Sequence, residues 1–143
     1  MRSFGDQVRA QAAQARQGLE VAQQKIALEV SKRVIFRTPV DTGRARGSWM
    51  PAIGAPAVVD PGAFDKEGGA AMRRVSDAIA KFKGDATFYL TSVLSYMPFL
   101  EEGSSKQAPN GMVAITVREF EGIAGMAVST WRSAGRSGGF FSE

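Results

Sequence analysis

The chain has 143 residues, a net charge of +4 and 44% hydrophobic residues, which suits one globular domain with its own core. It contains no cysteine and no histidine, which excludes disulfides, thiolate nucleophiles and zinc sites built on those ligands, and removes the commonest general acid/base. No run approaches the ~18 apolar residues of a membrane span, and the start (Arg2, Asp6, Arg9) lacks an apolar signal core, so assembly in the cytoplasm with no membrane partner is expected.

The charge is unevenly placed. Residues 1–48 hold nine Lys/Arg against four Asp/Glu, and residues 49–143 hold nine against ten. A basic first third reads either as a solvated helix face or as a surface for nucleic acid or an acidic protein.

The first element runs from about residue 4 to 36. Phe4, Val8, Ala12, Ala15, Leu19, Ala22, Ile26 and Val30 recur every three or four residues, one stripe of an amphipathic helix. Ser3 with Asp6 can cap its start. At ~1.5 Å per residue the helix is about 48 Å long, more than so small a domain can cover. Its alanine-padded first half is expected to pack on a neighbouring subunit or to order on assembly, and its second half to pack on the core. Gly18 marks a possible bend.

Pro39 stops this helix, and Asp41-Thr42-Gly43 is a turn, with Asp41 bonding its own backbone and Gly43 free to take positive φ. A strand is expected from Arg44 to Ile53, anchored by a buried Trp49 against the helix. Residues 54–69, with two prolines and four glycines, read as a long functional or mobile loop. A helix follows over Ala70–Phe82, then a strand over Thr87–Leu94 with Phe88, Leu90 and Leu94 on one face. Tyr96–Gly103 is a short helical turn closed by Gly103. A second long helix runs from Asn110 or Gly111 to about Arg132–Gly135, with Val113, Val117, Phe120, Ile123 or Ala124, Ala127 and Trp131 on one face. The expected fold is α+β: a long N-terminal helix, a small mainly antiparallel sheet and two further helices in one domain over residues 1–133. Residues 134–143 are expected to form a flexible tail, whose Phe140 and Phe141 either dock on a neighbour or end the chain harmlessly.

No catalytic constellation emerges. Gly43-Arg44-Ala45-Arg46-Gly47 does not fit a phosphate loop, because the order is helix, turn, strand. Glu101 and Glu102 are adjacent and point apart, so they read as a charged surface that could meet a neighbour's arginines. Ser48, Ser95 and Ser104 have no histidine partner. No catalytic, cofactor or metal residue is assigned, and the protein is expected not to be an enzyme.

Two segments carry a resemblance. Thr38-Pro39-Val40-Asp41-Thr42-Gly43-Arg44-x-Arg46-x-Ser48-Trp49, after a long helix, and Tyr96-Met97-Pro98-Phe99-Leu100-Glu101-Glu102-Gly103-Ser104-Ser105-Lys106-Gln107-Ala108-Pro109 resemble, in the expected order, the HK97 gp10-like neck and tail-completion proteins of long-tailed bacteriophages. Ala45 stands where a leucine is common, implying a less buried strand there, and Glu102 stands where an aromatic is common. The resemblance implies a structural virion protein, assembled in the host cytoplasm into a homo-oligomeric ring, with sixfold symmetry expected. The ring would sit at the head–tail junction or on top of the tail, between portal-side connector proteins and the tail terminator or tail tube. It would leave a channel for genomic DNA, bound without sequence specificity. Pro39, Asp41, Gly43 and Trp49 are then structural. Arg44, Arg46, Glu101, Glu102, Lys106, Phe140 and Phe141 are candidates to face a neighbour or DNA. Charge reversal at Arg44 and Arg46 is expected to leave folding intact. The alternative reading is a basic nucleic-acid-binding module whose long helix tracks the phosphate backbone.

Overall fold

The computed structural model describes residues 3–137. Helix α1 spans Phe4–Arg37 without interruption. The Ser3 hydroxyl accepts from the Asp6 N–H, and the Asp6 carboxylate accepts from the Ser3 N–H, so the expected cap at Ser3 and Asp6 is present and takes the form of a reciprocal box. The chain then forms a one-turn helix α2 (Arg44–Gly47), strand β1 (Met50–Ile53), helix α3 (Gly69–Ile79) and strand β2 (Phe88–Thr91). Three helices complete it: α4 (Met97–Glu101), α5 (Val113–Arg118) and α6 (Phe120–Ser137).

The strands pair antiparallel, with Met50 opposite Thr91 and Ile53 opposite Phe88. A two-stranded ribbon is marginal alone and needs a packed face. Here Ile53, Phe88 and Leu90 lie against a core of Val34, Ile35, Trp49, Val75, Ile79 and Phe82, so the sheet packs on the second half of α1 and on α3. The inward face expected of Phe88, Leu90 and Leu94 is as predicted, although the strand is shorter than Thr87–Leu94.

Four expectations need correction. Residues 44–47 are helical, and β1 begins only at Met50. The cause is local: Gly43 takes φ +86°, and its carbonyl accepts from the Gly47 N–H, which closes a helical turn. Ala45 is therefore buried on the inner side of that turn, not thinly covered on a strand. The second long helix is broken at Glu119, whose carboxylate leaves its own helix to bind Arg33 and Arg37 of α1. As a result only Ile123 and Ala127 of the expected face are buried, while Val113, Val117 and Phe120 are exposed. Finally, α6 continues to Ser137, so residues 134–137 are helical. Phe140 and Phe141 lie outside the described residues.

Helix α6 runs antiparallel along α1. Glu119 meets Arg33 and Arg37 near one end, and Trp131 meets Gly18 farther back. At Gly18 an added Cβ would lie 1.7 Å from Trp131 Nε1. The glycine thus serves close approach of the indole, and α1 is not interrupted there. Before Gly18 every described residue of α1 is exposed. The first half of the helix is an arm with no partner among the described residues.

Candidate functional site: the corner joining the two motif segments

The segment from Thr38 to Trp49 forms a corner stitched to four parts of the chain. Thr38 is fully buried. Its hydroxyl donates to the Val34 carbonyl at 2.8 Å and accepts from Trp49 Nε1 at 2.8 Å. Trp49 is thereby an oriented anchor as well as a packed one. Ser48 donates within its turn to the Ala45 carbonyl and shares a 2.6 Å hydroxyl contact with Ser92. From α3, Arg74 donates to the Gly47 and Trp49 carbonyls. Pro39 is buried at the helix end. The turn's side-chain bond comes from Thr42, which accepts from the Arg44 N–H, while Asp41 is exposed.

The two arginines are already engaged. The Arg44 guanidinium pairs with both oxygens of Asp60 and lies 5.7 Å from the Phe64 ring centroid. The hydrogen bond from Arg44 holds the Asp60 carboxyl below its ordinary range, and the same pairing raises Arg44. Arg46 donates to the carbonyls of Phe36, Thr38 and Lys66 and stacks 5.6 Å over Phe36. Burial lowers its pKa, opposed by Asp65. Arg46 is thus a tie between the end of α1 and the loop. The expectation that reversing both charges spares folding is corrected, because a glutamate at position 46 would face three carbonyl acceptors.

The 54–69 excursion is fixed by the same corner. Asp65 donates its N–H to the Gly43 carbonyl, and its carboxylate accepts from the Gly68 and Ala71 N–H groups to cap α3. Thr91 donates to the Ala57 carbonyl. The tied loop leaves Val58, Val59 and Phe64 exposed.

The second motif segment docks on the first through Gln107, whose amide pairs with both backbone groups of Val40, 67 residues away, at 2.8 and 2.9 Å. A cleft of about 270 Å³ lies between the segments, lined by Val40, Asp41, Arg44, Tyr96, Leu100 and Gln107 among others. Glu101 is not a free surface charge. It accepts from the Met112, Val113 and Ala114 N–H groups at 2.8–3.0 Å and so caps α5. Burial alone would raise its carboxyl, but the three donors outweigh it and hold the pKa below the ordinary value. Glu102 and Lys106 are exposed beside it.

The structure therefore brings Arg44, the 38–43 turn and the 96–107 segment together, and commits Arg46 and Glu101 to internal ties. Sequence reasoning missed Arg74, Gln107, Asp65 and Asp60. Arg74, Gln107 and Asp60 act across 16 or more residues, whereas the cap by Asp65 is local, and an Asp three residues before Gly68 could have signalled it. Among the described residues no group of three or more His, Cys, Asp or Glu could hold a metal ion, and no helix is long and apolar enough to cross a membrane. No protein-family model, curated protein or solved structure matches the chain.

Proposed function

We propose that this chain is a structural virion protein of the HK97 gp10-like type, a ring subunit of the phage neck or tail completion complex. What carries the reading is the meeting of the two resembling segments. They are far apart in sequence, yet Gln107 clasps Val40 and makes them one corner. In this reading that corner and the tied loop present a subunit face. Asp41, Glu102 and Lys106 supply exposed charge, and Val58 and Phe64 supply exposed apolar surface. Ring closure needs two different complementary faces on each subunit, and the projecting first half of α1 supplies a second. Six copies would match a sixfold tail tube, with connector proteins on one side, terminator or tube proteins on the other, and DNA passing through.

The alternative, a long basic helix tracking phosphates, finds less support. Arg9 and Arg16 share one face of α1 and Lys25 and Lys32 another, about 160° apart at 100° per residue, so they do not form one stripe. Electron microscopy of purified protein mixed with tail tubes is the direct test, with rings on tube ends as the expected result. Duplex binding by free subunits with a steep salt slope, and no rings, would favour the alternative.

A further inference from the structure

We propose that α1 is an exchanged arm: the Phe4–Val8–Ala15 stripe of one chain seats in the apolar groove between α1 and β2 of a second copy. The inference deepens the ring reading by naming the contact between subunits, and it can be tested without phage components. The arm, residues 3–17, is about 22 Å long at ~1.5 Å per residue and exposed throughout. Phe4 is 81% and Val8 46% exposed.

The stripe is continuous with a face that is already packed. Phe4, Val8, Ala15, Ala22 and Ile26 are spaced by four or seven residues and so share one side of the helix. From Gly18 onward α6 packs along part of that side, through Trp131 at one end and Glu119 at the other. Before Gly18 the same side has no cover among the described residues. The stripe thus runs on toward the N-terminus well beyond the Trp131 contact, and its residues there are exposed.

The groove is the complementary half. It is an open groove of about 520 Å³, within the ~300–1,000 Å³ range of sites that take a drug-sized ligand. Ile26, Val30, Phe88, Leu90 and Phe120 line it. So does Ser31, whose hydroxyl is buried and has no partner.

The arm cannot reach the groove of its own chain. Both belong to one unbroken helix, and Phe4 stands 19 residues, about 28 Å, from Gln23 at the groove edge. The docking is therefore between copies: one-way seating closes into a ring or extends as a chain, and reciprocal exchange gives a twofold dimer.

The absence of native cysteine allows a clean test. Full-length chains carrying Phe4→Cys, Val8→Cys or Ala12→Cys are mixed with chains carrying Thr87→Cys or Gln23→Cys at the groove edge, under mild oxidation. Disulfide-linked heterodimers from at least one pair are expected, lost from the Ala12→Cys chain when Phe4 and Val8 are both changed to Asp, and from the Phe4→Cys or Val8→Cys chain when the other of the two is changed to Asp. These arm positions are exposed in the single chain, so the Asp variant should still fold, read by circular dichroism, while any stability added by assembly is lost. No heterodimer from any pair would overturn the inference. Normal rings on tail tubes from the Phe4→Asp/Val8→Asp variant would overturn it while leaving the ring reading intact. Arm cross-linking in a protein that never joins tails would support it while sinking the ring reading.

Discussion

Gly18→Ala separates two explanations of one residue. Helix propensity alone predicts that alanine in mid-helix stabilises by about 1 kcal/mol. The structure predicts the opposite sign. The new Cβ would lie 1.7 Å from Trp131 Nε1 and 2.5 Å from two further indole atoms, so the ring must leave. An indole buries ~150–250 Å² when fully covered. Trp131 is half-buried, so displacing it uncovers roughly 100 Å², or about 2.5 kcal/mol at 25 cal/mol per Å². Subtracting the propensity gain leaves a net loss of about 1–2 kcal/mol, a fall in melting temperature of roughly 3–8 °C for a chain of this size. Denaturant unfolding followed by circular dichroism reads the stability. Tryptophan emission should shift to the red, since Trp131 moves into water while Trp49 stays buried. In a Trp131→Ala background the same glycine substitution should stabilise, because only propensity remains. A more stable Gly18→Ala protein with unshifted emission would refute the packing argument.

Three further outcomes follow from the corner. Trp49→Phe removes the donor to Thr38 as well as ring volume and should cost about 2–3 kcal/mol, whereas Trp49→Ala should cost about 3–5 kcal/mol, both read by urea midpoints. Arg46→Met leaves the Phe36, Thr38 and Lys66 carbonyls without their donor and should cost about 2 kcal/mol, while Arg46→Lys, which lacks the planar fork, should recover only part of it in the same assay. Glu101 has a folded pKa depressed below the ordinary 4.5, so its contribution is present above that value and lost as pH falls through the folded pKa. Glu101→Gln should flatten the acid limb of a melting-temperature profile below about pH 4.5 and leave neutral pH less affected than Glu101→Ala does.

Much of the fold was legible because its signals are local. The cap at Ser3 and Asp6, the stop at Pro39, the positive φ at Gly43 and the burial of Trp49 each follow from residues within a few positions of one another. The failures share a different cause. Nothing near Glu119 announces a helix break, because no glycine or proline stands beside it; the partners that fix it, Arg33 and Arg37, are 82 or more residues away. At residues 44–47 the sequence offers only a short alternation after a turn, and the Gly43 carbonyl, accepting two N–H groups from Gly47 and Asp65, decides for a helical turn. The candidate site was visible as two segments but not as one corner. A side-chain amide pairing with a distant backbone, as Gln107 does, leaves no periodic trace.

The corner also changes which residues deserve a functional test. Arginine is the residue that most readily suggests a partner or DNA, yet here one arginine binds Asp60 and the other binds three carbonyls. Breaking these ties would have an indirect effect on any assembly, through the loop that they hold. The groups free to meet a neighbour are those the ties present: Asp41, Glu102 and Lys106 around the cleft, and Val58 and Phe64 on the loop. A rigid corner suits that task, because a surface fixed before contact loses little conformational entropy on binding. Substitution of Lys106 or Val58 therefore probes any assembly with the fold left in place, whereas substitution of Phe64, which Arg44 covers, or of Arg46 mixes the two effects.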